Sequence, residues 1–544
     1  MLMAYGVRTD QRHFADVLFR GGPVYTVDPN DRVVEACATR YDRIIGCGKL
    51  ADLLHLVGPD TRIVDLEGKC LVPGLVDAHS HIVGQGLAME AIDCKHDLPA
   101  LDDLLARVAA AARSAPAGTW LLGRGYNQNK LGERRHPERR DLDRAAPDHP
   151  VALTRTCGHI MACNSRALDL AGISALTPDP PGGTILRDAD GEPTGVLLES
   201  ACRPVQELIT PTVTGYRRAY QAACREYLSL GITSAHDASG SDPSQVRAMV
   251  QGHDQDQVKL RTYMMLRLAS SGPAAGNAAL QSGMVSGLGG PGLRVGPLKI
   301  MLDGSSSGPT AATREPYASR PGYSGILYHD QHELNSLVKQ GIDAGFQMTA
   351  HCVGDRAIAM MLRAITENSD GRGDGRRHRI EHCAMLDEQL IAAIRSLGVV
   401  PVANPSFLWE FGDGYVADYG MDRARWMFPL RSLLGAGVPA AAGSDAPVTY
   451  VDPFLGLYCA MTRKTATGAE VGPEQAVSFA QALRSYTYNG AWASGEEHIK
   501  GSVEPGKLAD LAVVSLDLGS ASPEQIRNAA VVMTMLGGEI VYER

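Results

Sequence analysis

Two histidines two residues apart, His79 and His81, close an apolar run that reads Leu71-Val72-Pro73-Gly74-Leu75-Val76-Asp77-Ala78-His79-Ser80-His81. In a strand, residues i and i+2 face the same side, so the two imidazoles can be presented to one point. Neutral imidazole is the commonest metal ligand, and two of them at the C-terminal end of a strand make half a metal site. The plainer reading is a polar loop after a buried strand. Three further segments bear on the choice: Thr349-Ala350-His351, Ile380-Glu381-His382 and Ala442-Gly443-Ser444-Asp445-Ala446-Pro447. Each is a short β-like run ending in a ligand-type residue. A lone histidine is more often structural, but five such residues all stand at the ends of predicted strands. Imidazoles plus one carboxylate, with room for water, suit zinc or another divalent transition metal.

Lys299, in Gly296-Pro297-Leu298-Lys299-Ile300-Met301-Leu302-Asp303-Gly304, is the unexpected member. If Leu298 and Ile300 face surrounding helices, Lys299 points into the interior, where an ammonium is costly. One reading pairs it with an acid such as Asp303 or Glu199. The other turns the cation into an anion, a carbamate formed from lysine and carbon dioxide, able to bridge two metals.

These residues need a frame that brings strand ends together. The middle of the chain alternates strand and helix patterns, with eight strand candidates at 74–77, 233–236, 260–266, 298–301, 347–351, 379–382, 399–403 and 440–445. Helical stretches such as 216–230 and 332–345 separate most of them. Eight βα units predict an α/β fold, a (β/α)8 TIM barrel whose chemistry sits at the C-terminal strand ends. Short β runs at 16–20, 23–27, 43–47 and 62–66, and again at 510–514, 531–534 and 539–542, predict a small discontinuous β-sandwich built from both chain ends. The expected division is residues 1–72 plus 500–544 for the sandwich and 73–499 for the barrel. The long gap after barrel strand one, rich in Gly, Pro and Arg, predicts an insert at about 118–200 over the barrel mouth.

Composition narrows the class. The 544 residues are 44% hydrophobic and 21% charged, with a net charge of −9. That fits a globular protein with a large core and argues against nucleic acid or anionic membrane as the main partner. No apolar run reaches the roughly 20 residues of a membrane helix, and no basic-plus-apolar signal opens the chain, so a cytoplasmic location is expected. The eleven cysteines are dispersed, with no CxxC pair; reduced, mostly buried thiols are expected. Cys352 and Cys383 each follow a histidine of interest and would point away from it on a strand.

The ordered motifs resemble the amidohydrolase superfamily, and within it the branch related to N-substituted formamide deformylases. The resemblance runs through Pro73–His81, Gly158-His159, Asn164-Ser165, Pro193-Thr194-Gly195, Lys299 with Asp303-Gly304, His351 with Gly354-Asp355-Arg356-Ala357, Arg379-Ile380-Glu381-His382, and Gly443-Ser444-Asp445-Ala446-Pro447-Val448. It implies that His79, His81 and Asp445 hold one divalent ion, most simply zinc. His351 and His382 would hold a second, with a carboxylated Lys299 bridging the two; some members of the superfamily use one ion. The family often has Trp-Asp after the insert's Gly-x-Gly, where this chain has Tyr126-Asn127, a departure that bears on substrate choice.

The resemblance further implies hydrolysis of a non-peptide C–N bond, in an amide, N-substituted formamide or cyclic amide. Metal coordination lowers the pKa of water toward roughly 7, and Asp445 is the catalytic proton shuttle. Candidate substrate contacts are Tyr126, Asn127, His159, His236, Phe407 and Trp409. The expected partner is a small-molecule substrate, and a homodimer is the assembly carried forward. Two other readings stand beside this one: a hydrolytic deaminase of a heterocycle, and a catalytically silent scaffold that has kept the fold.

Overall fold

The computed structural model describes residues 14–95, 98–155, 160–240, 242–255, 259–270, 274–369 and 375–544. They divide into two compact units: residues up to Ile82 with Ala223–Arg544, and Val83–Ala222.

The first unit contains the expected barrel. Eight strands lie side by side in chain order, each parallel to the next: Leu75–Ser80, Ile232–Gly240, Arg261–Arg267, Leu293–Met301, Met348–Cys352, Arg379–His382, Val400–Ala403 and Ala441–Ala442. Parallel strands covered on both faces read as near-continuous buried runs, and every residue of Leu75–Ser80 is buried. The helices follow ordinary rules. In Gln331–Asp343 the Asp330 side chain caps the Glu333 N–H, while Leu334, Leu337, Val338 and Ile342 form the buried stripe.

The eighth strand, Ala441–Ala442, is much shorter than the expected 440–445, and beyond it the backbone turns, with Asp445 at φ 57°. Its continuation still meets the first strand: the Asp445 N–H donates to the His79 carbonyl at 2.7 Å, and the His81 N–H to that of Ala446 at 2.9 Å. These bonds join the last strand end to the first.

An eight-stranded sheet joins the two chain ends. Its order is Glu539–Glu543, Val531–Leu536, Leu511–Val514, Cys70–Pro73, Val17–Tyr25, Val33–Arg40 and Arg43–Gly48, with Arg62–Asp65 pairing on Val17–Tyr25. Phe19, Val24, Leu71, Leu511 and Met535 belong to its core. Two sequence runs, 16–20 and 23–27, prove to be one strand with a register shift between Arg20 and Val24, at Gly21-Gly22. Val33–Arg40 escaped the sequence reading because its small Ala and Cys residues give little alternation. The Cys70–Pro73 strand runs through Gly74 directly into the first barrel strand, so this sheet anchors the segment that carries His79.

The second unit is built on a six-stranded sheet ordered Gly183–Arg187, Pro193–Glu199, Ile160–Cys163, Val151–Arg155, Leu121–Tyr126 and Ile92–Asp93. Helices Leu101–Ser114 and Arg139–Ala145 lie in the same unit, and Leu104, Val108, Leu142 and Leu153 share a core in it. Among the described residues no helix is long and apolar enough to cross a membrane.

Candidate metal centre

Barrel strands one and eight bring His79, His81 and Asp445 together, with one ligand atom of each within 4.8 Å of the others. Asp445 Oδ1 lies 3.3 Å from His79 Nε2 and 3.1 Å from His81 Nε2. His79 is fully buried, whereas the His81 side chain is 31% exposed, so His81 marks the open side of the group. Lys299 is buried, with Nζ 3.4 Å from His79 Nε2. The rings of His351 and His382 are 4.5 Å apart, and that of His382 is 4.8 Å from His79.

Hydrogen-bond partners decide which nitrogen of each imidazole is free. Glu381 Oε2, an acceptor only, takes the Nδ1–H of His79 and leaves Nε2 with its lone pair. Asn404 Nδ2 donates to the Gly443 carbonyl at 2.9 Å, so its Oδ1 faces His382 and accepts the Nδ1–H at 2.8 Å. His382 therefore also presents Nε2. His351 is reversed: its Nε2–H donates to the Gly304 carbonyl at 3.0 Å, leaving Nδ1 with the lone pair.

Backbone strain helps to aim these groups. Glu381 and His382 are neighbours on one strand and would face opposite sides of it, yet both reach this group of residues. They do so because His382 leaves the extended region at φ 67°, followed by Cys383 at φ 43°. Such conformations cost on the order of 1–3 kcal/mol in non-glycine residues. Cys352 and Cys383 are free, buried thiols.

Electrostatics follow from burial among these charges. Burial and Lys299 press the His79 pKa down, but the Glu381 and Asp445 carboxylates outweigh them and raise it. Burial raises Asp445, yet the His79 and His81 imidazoles prevail and hold it well below the carboxylate range. Burial, aided by Lys299, brings His351 down to about 4, and burial pushes His382 well below its usual value. Burial likewise lowers Lys299.

The residues fit a bound cation. Asp445 Oδ1 is buried and makes no aligned hydrogen bond, and in the neutral imidazole, the form that binds a metal, the His79 Nε2 beside it carries the lone pair because Glu381 takes the Nδ1–H. Acceptor against acceptor at this distance is repulsive unless a positive charge lies between them. The separations of 3.1 and 3.3 Å match the edge of about 3.3 Å of a tetrahedron with metal–ligand bonds of about 2.0 Å.

The other sequence candidates divide between the barrel unit and the second unit. His236 is fully buried, and its Nδ1 accepts from Arg379 at 2.8 Å. Phe407 is buried, its ring centroid 6.0 Å from that of His382. Trp409 packs on Tyr458 at 5.9 Å under the Arg527 guanidinium at 4.1 Å, an arrangement of packing. Tyr126 is fully buried in the core of the second unit, its hydroxyl 3.1 Å from His136 Nδ1. Asn127, half-buried in that unit, accepts from the Asn129 N–H. His159 lies outside the described residues. Glu199 is exposed at the end of its strand. Asp303, one suggested partner for Lys299, is occupied by the N–H groups of Ala312, Val353 and Gly354.

Sequence reasoning missed Asp77, Arg379, Glu381 and Asn404. Period two would have flagged two of the links: Asp77 shares a face with His79, and Arg379 with Glu381.

The fold and the His-His-Asp group define a metal-dependent hydrolase of the barrel type, and comparison with known proteins agrees. The amidohydrolase family model matches residues 62–542, and the chain belongs to that family. It is 30% identical to YtcJ of Bacillus subtilis, covering 97% of this chain and 99% of that one. It is also 30% identical to the N-substituted formamide deformylase of Arthrobacter pascens, over 97% and 98% of the two chains. A solved structure of an uncharacterized metal-dependent hydrolase from Pyrococcus furiosus superposes with a TM-score of 0.76 at 25% identity, covering 93% of this chain and 99% of that one.

Proposed function

We propose that this protein hydrolyses a non-peptide C–N bond of a small molecule, an amide, N-substituted formamide or cyclic amide, using zinc held by His79, His81 and Asp445. One observation carries the reading: the buried Asp445 Oδ1 faces two imidazole Nε2 atoms with no hydrogen bond to satisfy it. The likeness to a formamide deformylase along nearly the whole chain supports the substrate class.

When bound, the ion supplies Lewis acidity, polarising a carbonyl and bringing the pKa of water toward about 7. Asp445, held ionised, accepts the proton of the attacking water on its carboxylate and returns it to the leaving nitrogen as the C–N bond breaks. The products are an acid and an amine, carried on one ring-opened molecule where the substrate is a cyclic amide. His79 and His382 are kept from turning by their Nδ1 hydrogen bonds. Phe407 supplies an apolar wall beside His382.

Lys299 deepens the reading. Burial lowers its pKa and brings the neutral amine, the form that adds to carbon dioxide, within easier reach; the new N–C bond costs the amine one proton, released to water, and leaves a carbamate anion. That anion, with His351 Nδ1 and His382 Nε2, would hold a second ion. The ten described cysteines are all free, in keeping with a reducing, cytoplasmic setting.

The test is a screen of metal-loaded protein against formamides, amides, cyclic imides and lactones, scoring amine and acid released, with elemental analysis of the same sample. Amine release with up to two ions per chain is expected. His79→Ala with His81→Ala should remove at least one ion; unchanged metal content there would overturn the assignment. Asp445→Asn at metal saturation should lose about 10²–10⁴ in turnover, and near-wild-type turnover would remove Asp445 from the shuttle role.

A further inference from the structure

Arg379 and Glu381 form an ion pair with no exposure to solvent, Nε to Oε1 at 2.8 Å, beside His79. A buried ion pair stabilises little compared with apolar side chains of the same volume, so its contribution must be sought elsewhere. We infer that Glu381, locked by Arg379, is a positioning residue that fixes the tautomer of His79 and keeps its Nε2 lone pair turned toward Asp445.

Every contact of the carboxylate bears on this. Oε1 accepts the Thr349 hydroxyl at 2.6 Å and Arg379 Nε at 2.8 Å. Oε2 accepts Arg379 Nη2 at 3.1 Å and the Nδ1–H of His79 at 2.5 Å. The guanidinium is anchored in turn, Nη1 on His236 Nδ1 at 2.8 Å and Nη2 on the Ala78 carbonyl at 2.7 Å. Arg379 thus ties strand six to strands one and two, and Glu381 cannot rotate without breaking several charge-assisted bonds. A carboxylate only accepts, so His79 must keep its proton on Nδ1. This places His236 as a brace for Arg379.

An amide at 381 separates this role from simple packing. Arg379 has only donors, so Glu381→Gln turns its carbonyl toward Arg379 and its NH2 toward His79. The NH2 then donates to Nδ1, the His79 proton moves to Nε2, and the lone pair facing Asp445 is lost. With Arg379→Met added, the remaining partner is the Thr349 hydroxyl, which can accept from the NH2 as well as donate, so the amide can turn its carbonyl back to His79.

The inference rests on the proposed metal site, and zinc and cobalt(II) are its probes. Affinity is measured by chelator competition, the ligand field by visible absorption of the cobalt form, and the fold by circular dichroism. Glu381→Gln should bind about 10–100-fold more weakly with an altered cobalt spectrum, while Arg379→Met/Glu381→Gln should return toward wild type. Wild-type affinity and spectrum in the single variant would overturn the inference. An equal loss in the double variant would overturn it too, because missing charge rather than tautomer would then be the cause. If the single variant does not fold, Arg379→Met/Glu381→Leu, which leaves no buried charge, takes its place. Weaker binding there than in Arg379→Met/Glu381→Gln, which is equally uncharged but keeps an acceptor for the His79 Nδ1–H, supports the role, and equal binding refutes it. A wild-type protein that binds neither ion fails the metal reading itself, whereas binding that ignores residue 381 fails this inference alone.

Discussion

Asp77 clamps Ser444 across the seam where the barrel closes: its Oδ2 accepts the Ser444 hydroxyl at 2.6 Å and its Oδ1 the Ser444 N–H at 3.0 Å. The same Oδ1 lies 3.3 Å from the His79 N–H. One carboxylate therefore holds the backbone at His79 and the residue just before Asp445. An amide must turn its NH2 to one of these donors, so Asp77→Asn should cost about 1–3 kcal/mol of stability and weaken metal binding. The denaturation midpoint and chelator competition would show it; unchanged values would mean that the clamp holds nothing.

Of the imidazoles Asn404 sets His382, while its Nδ2 holds the Gly443 carbonyl. Asn404→Leu removes the acceptor of the His382 Nδ1–H and frees the ring to turn. Affinity for an ion on His351 and His382 should fall about 10–100-fold, while the ion on His79, His81 and Asp445 stays. A metal titration resolving two classes of site would lose the weaker class alone. Equal loss of both would contradict separate sites.

Gly443 permits a close approach of backbones: a Cβ there would lie 2.4 Å from the His79 amide nitrogen. Gly443→Ala must push the strand-eight turn away from His79, and should leave the protein with less metal and a lower melting temperature. Gly435→Ala is the control, since its Cβ would meet nothing within 4 Å; it should be neutral or stabilising by about 0.4–1 kcal/mol. Similar behaviour of the two variants would contradict the packing argument.

The second unit offers a pH test clear of the metal site. Burial raises the Asp141 carboxyl, but hydrogen bonds from Arg135, the Glu138 N–H and Arg144 outweigh it and leave the group below its ordinary range. A depressed folded pKa means that the stabilisation is fully present above the unfolded value of about 3.9 and fades as pH falls through the folded value. With both arginines partly exposed, Asp141→Asn should cost roughly 1–2 kcal/mol at neutral pH. The gap from wild type should narrow below about pH 4. Hydrogen exchange in helix Arg139–Ala145 would report it, and a gap that widened with acid would reverse the sign.

The sequence by itself determined the barrel and the residue types at its strand ends. Both are local properties: apolar runs of strand length, a period of two that puts His79 and His81 on one side, and helical stripes between strands. It did not determine strand Val33–Arg40, where small side chains carry no alternation, or the early end of strand eight, where Asp445 takes a left-handed turn. Aromatic candidates were ambiguous for the same reason: Trp409 and Tyr126 are large apolar surfaces whose neighbours depend on packing.

Only the tertiary structure decided which nitrogen each imidazole offers and what holds the carboxylates. Those choices rest on pairs far apart in the chain, His79 with Glu381 and Asp77 with Ser444, that meet when the barrel closes. Hydrogen bonding inside the barrel is a matter of pairing: a buried donor left without an acceptor is costly, and a proton's position on a ring follows from its partner. No local pattern specifies that pairing, because a residue's type lists what it can donate or accept, while the fold decides which neighbour is there to receive it.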